Sequence, residues 1–275
     1  IQNFHILEKK LNDININPIR FNGIYGKEIK DFSKYDKYIS EYSKYFSPRG
    51  LVGCGLSHYS LLDEIHNNYL KNKETEYTLI LEDDVTPLIK DKKEIEDIIK
   101  KIPNDCDILL FHYMCIGKNC ITNDDEFKKI LKPSITGSAA SYLVKNSSIP
   151  KLLSKKIYFH IDIVWYNSFS INSYVYHKLL FNTDNTHSYN SNNYLMNAMK
   201  FLDIVKFNNM NLNNVLNFQI FRIPLLKSEL SFLEMIILIL VLFVLFNMMK
   251  KLNKKNKKNN KNKKNKKKRF KYYKT

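Results

Sequence analysis

Residues 77–84 read YTLILEDD, in which five strand-forming residues are followed at once by three carboxylates. A short apolar run of this kind is typical of a buried strand in an α/β sheet. Open α/β sheets bind ligands beyond the carboxyl ends of their strands, so Glu82, Asp83 and Asp84 mark a candidate site. The alternative interpretation is that these acids only end the strand and cap the next element.

Alternation of side chains along a strand predicts that Glu82 and Asp84 share one face, with Asp83 on the other. Two carboxylates on one face are suited to a hard divalent cation, Mg²⁺ or Mn²⁺, and such cations bind phosphates in turn. A cation that carries a phosphate group is therefore one explanation for the acids.

The segments around this stretch alternate between helix and strand patterns, which predicts an α/β domain with a mostly parallel sheet flanked by helices. Leu61, Ile65 and Tyr69 recur at four-residue spacing and indicate a helix. The other predicted elements are a helix over residues 91–102, strands over residues 107–113 and 136–144, and a short helix over residues 146–155.

Residues 49–58 read RGLVGCGLSH, with three glycines within six residues. This composition predicts a tight turn ahead of the helix, with Ser57 as its cap. Such a turn can cradle phosphate, although it matches no phosphate-loop pattern. Ser57 and His58 are adjacent in the sequence, and adjacent side chains rarely face each other. This argues against a catalytic pair in which the histidine activates the serine.

Two later stretches carry further candidates. Asp162 lies in the apolar run HIDIVWY, residues 160–166, beside the only tryptophan, and a buried acid there either pairs with another group or takes part in chemistry. Residues 181–193 form a polar stretch that carries Asp184 and His187, for which a plain surface loop is the simpler interpretation.

The net charge of +17 is concentrated at one end of the chain. Residues 250–275 hold fourteen lysines and Arg269 with no acid, and subtracting these fifteen charges leaves +2 for residues 1–249. The basicity therefore gives no reason to consider the folded part a nucleic-acid binder. We expect the tail to lie on anionic lipid headgroups, with nucleic acid as the rival partner.

The four cysteines have neither the spacing of a zinc site nor the density of a disulfide scaffold. Separate buried thiols are one interpretation, and a bridge between Cys115 and Cys120 is the other.

Residues 230–249 are predicted to form a transmembrane helix. They include fourteen Leu, Ile, Val or Phe residues, and twenty helical residues span about 30 Å. Those side chains contribute roughly −4 to −8 kcal/mol to insertion, against about +3 kcal/mol for Glu234. The lysine-rich run then places the tail in the cytoplasm and residues 1–228 in the lumen or outside the cell.

This orientation requires an amino-terminal signal, which the sequence does not show. The chain also opens on Ile1, and an α/β domain should have a strand before the first helix. We therefore expect the chain to begin inside a longer protein. The predicted organisation is a catalytic domain over residues 1–225, the transmembrane helix, and a disordered tail over residues 250–275.

Five blocks occur in an order that resembles glycosyltransferase family 25, which includes lipooligosaccharide sugar transferases and collagen galactosyltransferases. They are GLVGCGLSHYSLLDEI, YTLILEDDV, DILLFHY, TGSAASYLV and HIDIVWY, and the likeness covers roughly residues 1–195. The resemblance implies a GT-A, Rossmann-like fold, a UDP-galactose or UDP-glucose donor, Mn²⁺ or Mg²⁺ as cofactor, and inversion at the anomeric carbon.

The resemblance also implies roles for single residues. Glu82, Asp83 and Asp84 correspond to the acidic motif that holds the metal and the donor diphosphate, with Asp84 in direct coordination and Glu82 nearer the ribose or a metal-bound water. The remaining assignments are Gly53, Cys54, Ser57 and His58 to a wall of the donor site, Asp162 to a candidate general base, and His187 or Asp184 to a later metal ligand.

The sequence thus favours a membrane-anchored, metal-dependent hexosyltransferase acting on a glycan, lipid-linked or protein hydroxyl. The alternative is a catalytically decayed, membrane-anchored protein of the same family that only binds its ligand.

Overall fold

The computed structural model describes most of the chain up to residue 183 and shorter stretches beyond it. The described residues are 2–73, 75–116, 125–133, 135–183, 206–207, 210–212, 216, 219–224 and 228–251. The chain divides into two compact units, Ile1–Ser231 and Phe232–Thr275. The candidate metal ligands His187 and Asp184 and the lysine-rich residues 252–275 lie outside the described residues.

The described part of the first unit is built from six α-helices and thirteen short strands. The helices are α1 (Gln2–Asn12), α2 (Glu41–Phe46), α3 (Arg49–Asn72), α4 (Lys93–Ile99), α5 (Ile149–Leu153) and α6 (Ile161–Tyr166). The strands are β1 (Tyr77–Leu81), β2 (Val85–Pro87), β3 (Ile108–Leu110), β4 (Met114–Ile116), β5 (Phe127–Lys129), β6 (Ile135–Gly137), β7 (Ser141–Lys145), β8 (Ser173–Tyr176), β9 (Phe181–Thr183), β10 (Lys206–Phe207), β11 (Met210–Asn211), β12 (Gln219–Ile223) and β13 (Ser228–Ser231).

Five strands form the central sheet in the order β1-β7-β3-β8-β5. β3 and β8 are the only parallel neighbours in this sheet, because β7 is antiparallel to β1 and to β3, and β5 is antiparallel to β8. The prediction of a mostly parallel sheet is therefore wrong. Parallel neighbours need a crossover connection, usually a helix, whereas the described part of the link from β3 to β7 holds only short strands.

Helices cover both faces of the central sheet, which confirms the α/β class. Side chains alternate along each strand, so one sheet presents two apolar faces. Ile80, Ile108, Tyr142, Val144 and Val175 pack in one core with buried residues of α3, α5 and α6. Leu109, Leu143, Tyr174 and Tyr176 pack in the other core with buried residues of α1 and α4.

The glycine-rich stretch lies within α3 and forms the first part of this helix, so the predicted tight turn ahead of the helix is wrong. The helix starts at Arg49, directly after Pro48, and ends where Lys73 adopts a left-handed conformation with φ of 52°. The glycines allow the loop of residues 24–26 to lie against the helix, since a Cβ on Gly53 would be 2.5 Å from the Gly26 nitrogen. Close approach, by this loop at Gly53 and by Ile157 at Gly55, therefore explains two of the three glycines.

The predicted strand over residues 136–144 is divided into β6 and β7. Ser138 lies between them with φ of 95°, a conformation that ends the first strand. Because of this break, β6 pairs with β4 outside the central sheet while β7 enters the sheet between β1 and β3.

The second unit contains one described helix, Phe232–Lys251. It is 20 residues long and contains an 18-residue window with a mean hydropathy of 2.7, so its length and composition suffice to cross a membrane.

Candidate active site

Glu82 is the residue directly after β1, and its position follows from the pleat of that strand. Ile80 faces the core that contains α3, and alternation puts Glu82 on the same side two residues later. Its backbone N–H donates to the carbonyl of Ala140 at 2.8 Å, which extends the pairing of β1 with the approach to β7. The Glu82 side chain is one third exposed, so it lies at the edge of the core.

Cys54 and His58 meet the Glu82 carboxylate from α3. They are four residues apart, so they lie on the same helix face. The Nε2 atom of His58 lies 3.1 Å from Oε1 of Glu82, and the Cys54 thiol donates to the same oxygen at 3.6 Å. The three ligand atoms all lie within 4.8 Å of one another.

Tyr142 fixes the other side of the His58 ring. Its hydroxyl lies 2.9 Å from Nδ1 of His58, and β7 places it directly opposite Ile80 of β1. An ionised Glu82 can only accept hydrogen bonds, so Nε2 of His58 carries the proton between them. Burial tends to raise the pKa of Glu82, but the hydrogen bond and charge of His58 outweigh burial, and the pKa is lowered.

The Cys54 thiol lies among three carboxylates. Burial raises its pKa well above the usual value, and the charges of Glu82, Asp162 and Asp84 raise it further. Cys54 is therefore a neutral thiol in this state, which excludes it as a thiolate nucleophile at neutral pH. All three acids are therefore near enough to Cys54 for their charges to act on it, and Glu82 is the one that contacts it directly.

Asp83 and Asp84 form a turn between β1 and β2, closed by a bond from the Val85 N–H to the Glu82 carbonyl at 3.4 Å. The strand alternation predicted for the acids therefore stops at Glu82. Asp83 is exposed, whereas Asp84 is half-buried and acts on Cys54 through its charge. Asp84 is therefore near enough to act on Cys54 although it lies in the turn and not in the strand.

Asp162, in the first turn of α6, holds the break between β6 and β7. Its Oδ2 accepts from the Ser138 N–H at 2.5 Å and its Oδ1 from the Ile163 N–H at 2.8 Å. Tyr166 donates its hydroxyl to the Ser138 carbonyl at 2.8 Å. A Cβ on Gly137 would be 3.1 Å from Oδ2 of Asp162, so the small residue leaves room for the carboxylate.

His112 is buried beside the break between β6 and β7, and both of its ring nitrogens have hydroxyl partners. Its Nδ1 lies 2.6 Å from the Ser138 hydroxyl, and its Nε2 lies 3.4 Å from the Thr183 hydroxyl. Burial lowers the pKa of His112 from 6.5 to about 4, against the opposing charge of Glu82. The ring is therefore neutral at physiological pH.

Gly53 and Ser57 hold a loop rather than line the carboxylate cluster. The Ser57 hydroxyl donates to the Gly53 carbonyl at 2.7 Å and accepts from the Ile24 N–H at 2.7 Å. It does not cap the start of a helix, because it lies eight residues inside α3. The structure thus separates the pair Cys54 and His58, which contacts Glu82, from the pair Gly53 and Ser57.

The residues around Cys54 have the chemistry that a divalent cation requires. Glu82, Asp84 and Asp162 all act electrostatically on one neutral thiol, and carboxylate oxygens are the ligands that Mn²⁺ and Mg²⁺ prefer. A cation there would offset the mutual repulsion of the three acids. The chemistry of these oxygens therefore suits such an ion, whereas the ligand atoms that lie within 4.8 Å of one another in the described part of the chain belong to Cys54, His58 and Glu82.

Tyr142 is the residue that sequence reasoning missed. Its hydroxyl is buried in a core strand, and nothing within residues 136–144 sets this tyrosine apart. Only the antiparallel register of β1 and β7 brings it next to His58. The mostly parallel sheet predicted from the sequence therefore could not show the contact between Tyr142 and His58.

The fold and this cluster define an α/β enzyme domain whose polar site lies at the end of its first strand. A family model described as glycosyltransferase family 25, LPS biosynthesis protein, matches residues 4–221, about four fifths of the chain. The chain therefore belongs to glycosyltransferase family 25 and is a glycosyltransferase. No curated protein matches the chain. Membership implies, in general terms, a sugar donor and a glycan acceptor.

Proposed function

We propose that this protein transfers a hexose, galactose or glucose, from a UDP-sugar to a hydroxyl group of a glycan, lipid-linked or protein acceptor. The observation that supports this proposal is the position of Glu82 directly after β1, with Asp84 in the following turn and Asp162 on α6, all near enough to act on Cys54 through their charges, in a chain of this family. A diphosphate carries negative charge, so three acids can approach it only through a bound cation.

In this proposal Asp84 and Glu82 hold Mn²⁺ or Mg²⁺ together with the donor diphosphate, with Asp83 at the exposed rim. When bound, the ion supplies positive charge that stabilises the departing diphosphate. His58 orients Glu82 and keeps it ionised, because its Nε2–H donates to Oε1. Cys54 contributes the neutral wall between the carboxylates.

Asp162 is the proposed general base. The acceptor oxygen forms a bond to the anomeric carbon, the bond from that carbon to the diphosphate oxygen breaks, and the hydroxyl proton passes to Asp162. A single displacement of this kind inverts the anomeric configuration. Each Asp162 oxygen accepts a hydrogen bond from a different backbone N–H. Each oxygen also has a second lone pair, which can accept the incoming hydroxyl.

The decisive experiment measures UDP release and sugar transfer by the full chain with Mn²⁺ and a UDP-hexose. Asp84→Asn keeps the shape of the side chain but removes its charge, so turnover should fall by at least roughly 100-fold. Asp97→Asn is the matched control, because Asp97 is half-exposed on α4 and pairs with Lys100 on the surface. Its turnover should match that of the wild type.

Unchanged turnover in Asp84→Asn would contradict the metal role of this acid. A folded protein that neither turns over nor binds any UDP-sugar by calorimetry would instead support the decayed, binding-only alternative.

We further propose that Phe232–Lys251 anchors the enzyme in a membrane. Its length and composition support a spanning helix, and the lysine-rich sequence that follows favours a cytoplasmic tail with the catalytic domain lumenal or extracellular.

A further inference from the structure

The contact of Cys54, His58 and Glu82 offers one sulfur, one nitrogen and one oxygen ligand to a common point. The cysteine spacing along the chain does not indicate a zinc site, because two ligands come from one helix and the third from the end of a strand. The arrangement therefore becomes visible only when α3 packs on β1. The family resemblance assigned the acids to the metal, whereas this cluster contains a thiol and an imidazole.

The distances within the cluster suit a small tetrahedral ion. With Zn–S bonds of about 2.3 Å and Zn–N and Zn–O bonds of about 2.0–2.1 Å, a tetrahedral centre separates its ligand atoms by about 3.3–3.6 Å. Cys54 Sγ lies 3.6 Å from Glu82 Oε1, and His58 Nε2 lies 3.1 Å from the same oxygen. The third pair, Cys54 Sγ and His58 Nε2, lies within 4.8 Å, so these two side chains on one helix would approach each other by up to roughly 1.2 Å to complete the geometry.

The surroundings also suit a metal ligand set. The His58 ring lies edge-on to Trp165, with ring centroids 6.2 Å apart, and the hydroxyl of Tyr142 meets its Nδ1. A metal-bound histidine almost always makes such a contact through its second nitrogen, which fixes the orientation of the ring. Glu82 is one third exposed and Cys54 is half-buried, so an ion can enter from solvent.

We propose that Cys54, His58 and Glu82 form a binding site for a borderline divalent cation of the Zn²⁺ class, with a fourth position open to water. Thiolate and imidazole ligands select Zn²⁺ or Co²⁺ over Mn²⁺ and Mg²⁺, which prefer oxygen. Binding releases the thiol proton of Cys54. It also requires Nε2 of His58 to release its proton, so that the bound imidazole keeps a proton only on Nδ1, where it donates to the Tyr142 hydroxyl.

The site has a consequence for catalysis that rests on the proposed function. Glu82 belongs to both ligand sets, so an ion held by Cys54 and His58 withdraws this carboxylate from the donor-bound ion. Zn²⁺ should therefore inhibit the Mn²⁺-dependent reaction by occupying a position that the reaction needs empty.

Cobalt spectroscopy on the full chain in detergent micelles tests the site without using activity. Titration of metal-free protein with Co²⁺ should give a thiolate-to-cobalt charge-transfer band and the intense visible bands of four-coordinate cobalt, at one ion per chain. One equivalent of Zn²⁺ should remove them. Cys54→Ser should abolish the charge-transfer band, whereas Cys106→Ala should retain it, because Cys106 is buried in the opposite core.

Two more variants keep the test decisive if Cys54→Ser does not fold. His58→Gln should abolish the visible bands, and Tyr142→Phe should weaken Co²⁺ binding by roughly 10–100-fold while the band shape is kept. The fluorescence of Trp165 reports whether each variant is folded. A cobalt spectrum that is absent in the wild type, or unchanged in Cys54→Ser, overturns the site and means that the cluster is only a hydrogen-bonded support for Glu82.

The inhibition is tested separately in the Mn²⁺-supported transfer assay. Zn²⁺ should inhibit the wild type at concentrations about tenfold or more below those that inhibit Cys54→Ser. Equal sensitivity of the two proteins would overturn the shared use of Glu82 while the cobalt result stands. An inactive wild type would count against the proposed function, and the cobalt spectrum would still decide the metal site.

Discussion

Glu82 shows how one residue acquires its properties from its neighbours. A carboxylate at the edge of a core would be expected to have a raised pKa, because burial disfavours charge. The contact with His58 reverses that effect and lowers the pKa of Glu82. His58 is in turn oriented by Tyr142, so three residues from α3, β7 and the end of β1 set the charge of the site.

Replacing His58 should therefore change how activity depends on pH. His58→Gln keeps a donor but removes the imidazole charge, so the effect of burial dominates and the pKa of Glu82 rises. Glu82 then becomes protonated at a higher pH than in the wild type. We expect the acidic limb of the profile of kcat/KM against pH to move to higher pH.

His177→Gln is the control for that profile, because His177 is exposed directly after β8 and belongs to no contact with Glu82 that the structure describes. An acidic limb that His58→Gln leaves in place would contradict the role of His58 in keeping Glu82 ionised. A uniform loss at every pH would indicate damage to the fold instead.

His112 should make the folded state sensitive to mild acid. Its pKa is about 4 in the folded protein and 6.5 when solvated, so the unfolded chain binds more protons between these two values. Stability is therefore fully present above pH 6.5 and falls as the pH is lowered toward 4. At 1.36 kcal/mol per unit, the loss is about 3 kcal/mol.

Urea unfolding followed by the fluorescence of Trp165, the single tryptophan, measures this loss. His112→Gln cannot gain a proton in this range, so its free energy of unfolding should change less than that of the wild type between neutral pH and pH 4. Parallel pH dependence in the two proteins would rule out His112 as the source.

At the scale of the element, α3 is the helix that places the site. Cys54 and His58 lie on the face toward β1, while Gly53 lies where the loop of residues 24–26 crosses the helix. Glycine inside a helix costs about 1 kcal/mol relative to alanine. The fold accepts that cost because a side chain at Gly53 has no room.

Two alanine substitutions on α3 should therefore differ in their effects. A Cβ at Gly53 would meet backbone atoms, the Gly26 nitrogen at 2.5 Å and the Ile24 carbonyl at 2.6 Å, which cannot rotate away. Gly53→Ala should lower the free energy of unfolding by about 2 kcal/mol or more despite the better helix propensity.

Gly55→Ala is the matched comparison. Its Cβ would meet the Cδ1 atom of Ile157 at 2.9 Å, and the end of that side chain can move. The cost of displacing Ile157 and the gain in helix propensity should nearly cancel, so the free energy of unfolding should change by no more than about 1 kcal/mol. Equal losses for the two variants, measured by urea unfolding, would show that the loop contact does not explain the glycines.

The elements also show what a sequence can and cannot predict. The strand Tyr77–Leu81 followed from composition alone, because a buried strand needs only local apolar residues. The start of α3 was missed, because its glycines have a tertiary cause that local propensity does not record. The sheet directions were missed for the same reason, since the link from β3 to β7 determines them.

In the candidate site, too, some features are predicted by the local sequence and others are revealed only by the fold. Glu82 follows directly from its position after β1, and its contact with α3 follows from alternation along the strand. The partner Tyr142 depends on a register between strands that lie more than sixty residues apart in sequence. Local patterns therefore predict the charged residue, and only the fold reveals which groups control its charge.

At the scale of the whole molecule, charge and apolar surface are segregated along the chain. Fifteen of the positive charges lie in residues 250–275, directly after the most apolar segment. Every large apolar side chain from Ile236 to Leu245 is exposed, with Phe243 at 64%. Such a surface is incompatible with water unless lipid or another apolar phase covers it.

Two lysines at the centre of this helix should abolish membrane retention. The apolar residues contribute roughly −4 to −8 kcal/mol to insertion, and a central lysine costs roughly 2.5–3.5 kcal/mol. Leu240→Lys with Phe243→Lys therefore cancels most of the gain, and alkaline carbonate should extract that variant from membranes that retain the wild type. Met248→Lys with Met249→Lys adds the same charge near the helix end, where lysine reaches the headgroups, and should stay in the membrane. Retention of the central variant would mean that protein contacts, and not lipid, cover the helix.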